Sequence, residues 1–210
     1  MVNLVYYDTV DMPLAILLRT NWLRIRAEAD ALFDAEGAVP KINAVMLGQD
    51  GRYLESVGRM KYTGANASLH LQVVPDLLDP PEAKVALSPA GEAGRARRRK
   101  ACPVIMSLLM PYMKHIGNIG LNRLFPGSVI NPHYGVITAD KFIRLHLGLC
   151  TDPSAKFYAQ DHESYTWRDG ETMAFNDAKS LHWVKHEGNN PRTILCLDIA
   201  KAAFTELRFL

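Results

Sequence analysis

Short apolar segments separated by turn residues dominate the second half of the chain and limit what it can fold into. Between residues 118 and 200 these segments are interrupted by Pro-Gly, Asp-Gly and Gly-Asn-Asn, which favour tight reversals of the backbone. Many short strands at such spacing are typical of an antiparallel sandwich or barrel. The sequence therefore predicts a β-barrel core over residues 118–200.

The preceding part, residues 1–117, has a mainly helical texture. Residues 14–33 repeat apolar side chains at helical spacing, and residues 102–117 are helical with an interruption at a proline. Residues 58–75 predict a pair of strands, and the segment near 76–100, rich in proline, glycine and charge, predicts a loop. We expect one domain of the α+β class, mainly β with flanking helices.

Composition excludes several classes of function. The chain has 24 basic and 22 acidic residues and a formal net charge of +2, so no global field favours nucleic acid or a membrane surface. No apolar run approaches the roughly 20 residues of a spanning helix, and the acidic start lacks the basic region of a signal peptide. Three widely spaced cysteines indicate reduced thiols. We expect a cytoplasmic protein that acts on a small molecule or a peptide.

Two histidines and an arginine are the candidates for a metal centre. His133 ends the apolar run VINPH with a glycine two residues on, and His182 begins a later strand ten residues before Arg192. The Gly-Asn-Asn-Pro turn between the last two predicts a hairpin that brings them near one another. Imidazoles suit Fe(II), and the planar fork of arginine grips a carboxylate. This order is the layout of non-haem Fe(II), 2-oxoglutarate-dependent oxygenases.

With these residues in place, the chain over about residues 101–199 resembles the aspartyl/asparaginyl β-hydroxylase family. The stretches that carry the resemblance are ACPVIMSLL, LFPGSVINPHYG, RLHLGL, W-x-DGE with FND, and LHWVKHEGNNPRTILCLDI. The resemblance implies a double-stranded β-helix (jelly-roll) core that uses Fe(II), 2-oxoglutarate and O2. It also implies hydroxylation of an unactivated C–H bond, at the β-carbon of an amino acid, a peptide or a related small substrate. 2-Oxoglutarate would then be converted to succinate and CO2.

The resemblance assigns the iron ligands residue by residue. His133 matches the first ligand and His182 the second. Gly135 stands where many iron oxygenases have a carboxylate ligand, and it matches the family members in which that position is vacant.

The resemblance likewise assigns the residues that bind 2-oxoglutarate. Arg192 matches the arginine that grips the distal carboxylate, and Arg144 with His146 matches the basic pair near the iron-binding end. Asn122 stands where family members can have a serine that assists cosubstrate binding.

Several alternatives stay open from the sequence. His186 shares a strand face with His182 and competes as the second ligand. The vacant position at Gly135 would also suit a radical halogenase, and a jelly roll without metal would be a non-catalytic binding protein. Asp177 suits a turn or a supporting role beside the ligands. The basic run 94–100 suits a solvated loop, or a loop that steers an acidic substrate towards the iron.

Overall fold

The fold is seen in a computed structural model that describes residues 6–36, 41–42, 62–73, 88–135, 141–160, 162–179 and 181–206. Its helices are α1 (Pro13–Thr20), α2 (Trp22–Ala35), α3 (Pro89–Ala101), α4 (Pro103–Leu109) and α5 (Lys201–Glu206), with a 3-10 turn at Met110–His115. Among these described helices, none is long and apolar enough to cross a membrane.

The strands lie mainly in the second half of the chain, as the turn pattern predicts. They are β1 (Tyr6–Tyr7), β2 (Lys41–Ile42), β3 (Tyr62–Thr63), β4 (Ala65–Val73), β5 (Ile116–Leu124), β6 (Val129–His133), β7 (Phe142–Cys150), β8 (Ala155–Ala159), β9 (Tyr165–Thr166), β10 (Thr172–Phe175), β11 (His182–His186) and β12 (Arg192–Ala200).

The described strands form two antiparallel sheets. The larger sheet has the order β1-β10-β7-β12-β5-β4-β2, and the smaller sheet has the order β3-β6-β11-β8-β9. From β5 to β12 the chain passes back and forth between the sheets, with β5, β7, β10 and β12 in the larger one. This is the topology of a jelly roll, or double-stranded β-helix. The predicted fold class, mainly β with flanking helices, is confirmed.

The hydrophobic residues form two clusters, one on each face of the larger sheet. One face packs on the helices, where Leu145 and Leu197 of the sheet join Phe33 of α2. The other face and the smaller sheet enclose a second cluster that includes Phe157 and Ile194. Because side chains alternate along a strand, the polar residues of β7 and β12 that flank the helix-facing leucines project into the barrel interior.

The predicted strand pair at residues 58–75 is wrong in its pairing. β3 and β4 both form, but β3 pairs with β6 in the smaller sheet and β4 pairs with β5 in the larger one. Gly64 separates them with φ +86, in the left-handed region that favours glycine. The chain therefore changes sheets at this residue instead of forming a hairpin.

The loop predicted near residues 76–100 is also wrong over its second half, because residues 89–101 form helix α3. Pro89 occupies the first turn, where the missing N–H of proline costs nothing, and the Ser88 hydroxyl accepts a hydrogen bond from Gly91 N at 3.1 Å. The proline that suggested a loop therefore starts a helix. Residues 76–87 lie outside the described residues.

Candidate active site

Two histidine rings meet inside the barrel on neighbouring strands of the smaller sheet. His133 at the end of β6 lies directly opposite His182 at the start of β11, and the ring centroids are 4.2 Å apart. Both side chains are buried. The His133 Nδ1 lies 2.8 Å from the Asn131 carbonyl oxygen, which can only accept, so Nδ1 carries the proton. The Nε2 of His133 therefore keeps the lone pair that a metal requires.

Asp177 places a carboxylate beside these rings. Its Oδ1 lies 3.1 Å from His182 Nε2 and 2.7 Å from a terminal nitrogen of Arg144. Its backbone oxygen accepts a hydrogen bond from Gly135 N at 2.7 Å. A Cβ built at Gly135 would collide with the Asp177 carboxylate. The space beside Gly135 is thus filled by a carboxylate that comes from a different part of the chain.

Arg144 is held by two carboxylates. Its Nε donates to Asp198 Oδ1 at 2.8 Å and a terminal nitrogen donates to Asp198 Oδ2 at 3.1 Å, while the other terminal nitrogen reaches Asp177. Burial opposes the charge of the guanidinium, but Asp177 and Asp198 outweigh it and raise the pKa of Arg144 well above its ordinary value. Arg144 therefore fixes the Asp177 carboxylate next to His182.

Arg192 and His146 share a second part of the interior, around Trp167. Arg192 is 1% exposed, and its guanidinium carbon lies 4.7 Å from the centre of the Trp167 ring. The His146 ring lies 6.0 Å from Trp167, and its Nδ1 is buried without a hydrogen-bond partner among the described residues. Burial, with the charges of Arg144 and Arg192, holds the pKa of His146 well below its usual range. The imidazole is consequently neutral beside a buried cation.

Two of the sequence candidates are engaged elsewhere. Asn122 in β5 donates to Ser68 Oγ of β4 at 2.7 Å, so its amide contacts the neighbouring strand. His186 lies at the opposite end of β11 from His182; its Nε2 is 2.7 Å from Asn190 O, and Gly188 N donates to its Nδ1 at 3.3 Å. Both ring nitrogens of His186 are engaged with the following turn, which removes it as a competitor for the second ligand.

One residue of this site, Trp167, has no role in the predictions from sequence. Asp177 is predicted to serve a turn or a supporting role beside the ligands, and it does contact His182. Each lies in a stretch that carried the family resemblance, FND and W-x-DGE, and that was the one signal pointing to them. Their contacts depend on how the segments around β10 pack over β6 and β12. A local sequence pattern does not predict this packing.

The donor types present, two imidazoles, are ones that Fe(II) accepts. Within the described part of the chain, no group of three or more His, Cys, Asp or Glu side chains is arranged to hold a metal ion. The arrangement is instead two facing imidazoles with one carboxylate held between His182 and Arg144. Imidazole suits Fe(II), and a small ligand set leaves positions for a cosubstrate.

The sequence model of one family, described as aspartyl/asparaginyl beta-hydroxylase, matches residues 19–202. The chain belongs to this family. Aspartate beta-hydroxylase domain-containing protein 2 from mouse and from human is in each case 36% identical over 86 residues, which are 40% of this chain. These residues are 24% of the mouse protein and 22% of the human one, so the match spans under a quarter of either relative.

A solved structure, the prolyl-4-hydroxylase of Pseudomonas putida, is similar with a TM-score of 0.47 and 13% sequence identity, over 93% of this chain and 92% of that one. The segment that matches the β-hydroxylase family model runs from α1 into α5. It contains all the site residues described above.

Proposed function

We propose that this β-hydroxylase family member is an Fe(II)- and 2-oxoglutarate-dependent dioxygenase that hydroxylates an unactivated C–H bond of an amino acid, a peptide or a related small molecule. The observation that supports this most is the opposition of His133 and His182 inside the barrel that also buries Arg192. In this proposal the two histidines hold the iron and Arg192 binds the distal carboxylate of 2-oxoglutarate. The bound iron and cosubstrate supply the oxidising chemistry, with succinate and CO2 as coproducts.

The surrounding residues would orient the ligands and exclude water. The Asn131 carbonyl fixes the tautomer of His133, and Asp177 orients His182. The Phe157 ring stacks on His182 with centroids 5.6 Å apart, and Phe175 meets it edge-on at 5.3 Å. Apolar walls of this kind lower the local dielectric constant and strengthen the electrostatic contacts at the metal.

Hydroxylation is proposed over radical halogenation because of what lies beside Gly135. A halogenase would bind chloride in the space that the missing carboxylate ligand leaves. Here the Asp177 carboxylate lies where a Cβ of residue 135 would be, so it borders that space. Two negative charges a few ångströms apart repel one another strongly in a low-dielectric interior. Chloride would therefore have to bind close to a carboxylate that His182 and Arg144 hold in place.

The test is oxygen-dependent turnover of 2-oxoglutarate. We expect Fe(II)-dependent succinate formation that increases with a true substrate from a panel of amino acids and peptides, and a product heavier by one oxygen atom. His182→Ala should abolish succinate formation, while His115→Ala, outside the site, should retain it. A chlorinated product in chloride buffer would contradict hydroxylation. The absence of Fe(II)-dependent 2-oxoglutarate consumption, coupled or uncoupled, would instead favour a non-catalytic binding protein.

A further inference from the structure

One row of residues across the larger sheet leads from strand β12 to the histidine pair. Asp198 of β12 lies opposite Arg144 of β7, and Arg144 lies opposite Phe175, the last residue of β10. The chain leaves β10 at this point and reaches Asp177 two residues later. The strand register therefore places a carboxylate on each side of Arg144, and one of the two borders His182.

The two carboxylates bind different parts of the guanidinium. Asp198 accepts from Nε and from one terminal nitrogen, at 2.8 and 3.1 Å, and such a bidentate contact fixes the plane of the group. The other terminal nitrogen lies 2.7 Å from Asp177 Oδ1. The side chains of Asp198 and Asp177 are 5% and 3% exposed, so dissolved salt screens these contacts little. Asp198 therefore sets the direction in which Arg144 holds Asp177.

The charge of this group indicates which kind of ion it favours. Against the cost of burial, both carboxylates raise the pKa of Arg144, as ionised groups do. Arg144 thus contributes one positive charge and the carboxylates contribute two negative charges, which leaves one negative charge in surplus. A surplus negative charge beside His182 attracts a cation and repels the dianion 2-oxoglutarate. The group is therefore suited to support a metal ion rather than to bind a carboxylate.

We propose that Asp198 and Arg144 are positioning residues of the metal site: Asp198 orients Arg144, Arg144 holds Asp177, and Asp177 orients His182. The family resemblance implies that Arg144 binds 2-oxoglutarate, and this inference assigns it to the metal instead. It rests on the proposed function, because it requires the two histidines to hold the ion. It extends the metal site from the smaller sheet to strand β12 of the larger one.

The experiment compares two affinities of the full chain: for Mn(II), by spin-resonance titration, and for 2-oxoglutarate, by calorimetry at saturating Mn(II). Asp198→Asn removes the charge and one acceptor oxygen, and Arg144→Lys keeps the charge without the planar fork. We expect each variant to weaken Mn(II) binding roughly tenfold. Each should change the Kd for 2-oxoglutarate by less than about threefold. A tenfold rise of that Kd in either variant would overturn the inference, because Arg144 would then bind the cosubstrate.

A double variant distinguishes positioning from a merely structural role. If Asp198 acts through Asp177, then adding Asp198→Asn to Asp177→Asn should weaken Mn(II) binding by no more than about a further twofold. The reason is that the second substitution has no carboxylate left to orient. Losses that multiply in the double variant would mean that the two residues act independently, and would refute the proposal. If Asp198→Asn fails to fold, Arg144→Lys in the Asp177→Asn background gives the same comparison.

Asp152→Asn is the matched control for the loss of a buried carboxylate. Asp152 is 6% exposed and accepts hydrogen bonds from Asn189 N and Asn190 N, both at 3.1 Å, in the turn between β11 and β12. This variant should bind Mn(II) and 2-oxoglutarate like the parent. A tenfold loss of Mn(II) affinity in Asp152→Asn as well would overturn the inference. A parent protein that binds neither Mn(II) nor 2-oxoglutarate would refute the proposed function itself.

Discussion

At the scale of single residues, Gly135 and Asp177 act as a pair. The glycine is required because its Cα lies against the Asp177 carboxylate, where any Cβ would collide. The carboxylate in turn contacts His182 and the Arg144 guanidinium. Gly135 thus leaves room for an acidic side chain from the segment after β10. We infer that Asp177 supports metal binding by orienting His182 and by adding negative charge.

Asp177→Asn is therefore expected to weaken Mn(II) binding by about 10- to 100-fold, the usual effect of losing a residue that orients a metal ligand. The amide has the same shape but neither the charge nor the second acceptor oxygen. A spin-resonance titration of Mn(II) measures the affinity. Asp30→Asn removes the same charge from an exposed ion pair with Arg123, outside the site, and should change the affinity by less than about threefold. Equal losses in both variants would mean that only net charge matters.

At the scale of elements, helix α3 is attached to its neighbours by the basic run 94–100. Arg98 contacts the Glu36 carboxylate at 3.1 Å, just after α2, and Arg97 contacts it at 3.2 Å. Arg98 and Arg99 also donate to the carbonyl oxygens of His70 and Leu71 in β4. The basic charges of α3 therefore hold the helix to the end of α2 and to strand β4 of the larger sheet.

These ion pairs make the attachment of α3 dependent on pH. The pKa of Glu36 lies below its usual 4.5, mainly because Arg98 donates a hydrogen bond to the carboxylate. Burial raises this pKa, and the hydrogen bond from Arg97 lowers it by a smaller amount. Because the folded-state pKa is the lower one, the stabilisation is complete above about pH 4.5 and is lost as the pH falls through the folded-state value.

Glu36→Gln should consequently lower the free energy of unfolding near neutral pH by about 1 kcal/mol at most, as for other partly exposed ion pairs. The difference in free energy of unfolding between Glu36→Gln and the parent should shrink as the pH falls to about 3. Urea denaturation at a series of pH values measures this free energy. Glu163→Gln, at an exposed position between β8 and β9, should follow the parent throughout. A Glu36→Gln difference that does not vary with pH would contradict this explanation.

At the scale of the whole molecule, the two sheets contribute different parts of the site. His133 and His182 belong to the smaller sheet, whereas Arg192 and His146 belong to the larger one. The second hydrophobic cluster lies between the two sheets and closes the interior around these residues. A ligand that contacts the metal at one end and Arg192 at the other would therefore link the sheets and stabilise the fold.

With Mn(II) present, 2-oxoglutarate at a hundred times its Kd should stabilise the protein by about 2.7 kcal/mol. For a chain of this size, that corresponds to a rise in Tm of roughly 5–10 °C in a thermal melt. Arg192→Lys keeps the charge but not the fork, and it should lose most of the rise. Arg123→Lys is the matched control, because Arg123 lies beside it in the larger sheet and binds Asp30 of α2. Equal shifts in both variants would argue against Arg192 as the carboxylate ligand.

The sequence by itself determined most of the elements and supplied the candidate residues. Helical periodicity over residues 14–33 corresponds to α1 and α2, and the turn residues between apolar segments mark the strands of the jelly roll. These signals are local, because backbone preference and burial of one face act within a few residues. The positions of His133, His182 and Arg192 at the ends of apolar strands were predictable for the same reason, and their roles stay predictions.

Only the tertiary structure decided which residues meet. Asp177 reaches Gly135, and Tyr6 pairs with Phe175 and lines the same interior as Trp167, although these residues are far apart in the chain. The tertiary structure likewise decided that β3 and β4 lie in different sheets. Such contacts depend on strand order and register, and a shift of one residue in register turns every side chain to the opposite face. That is why these contacts emerged from the fold and not from the sequence motifs.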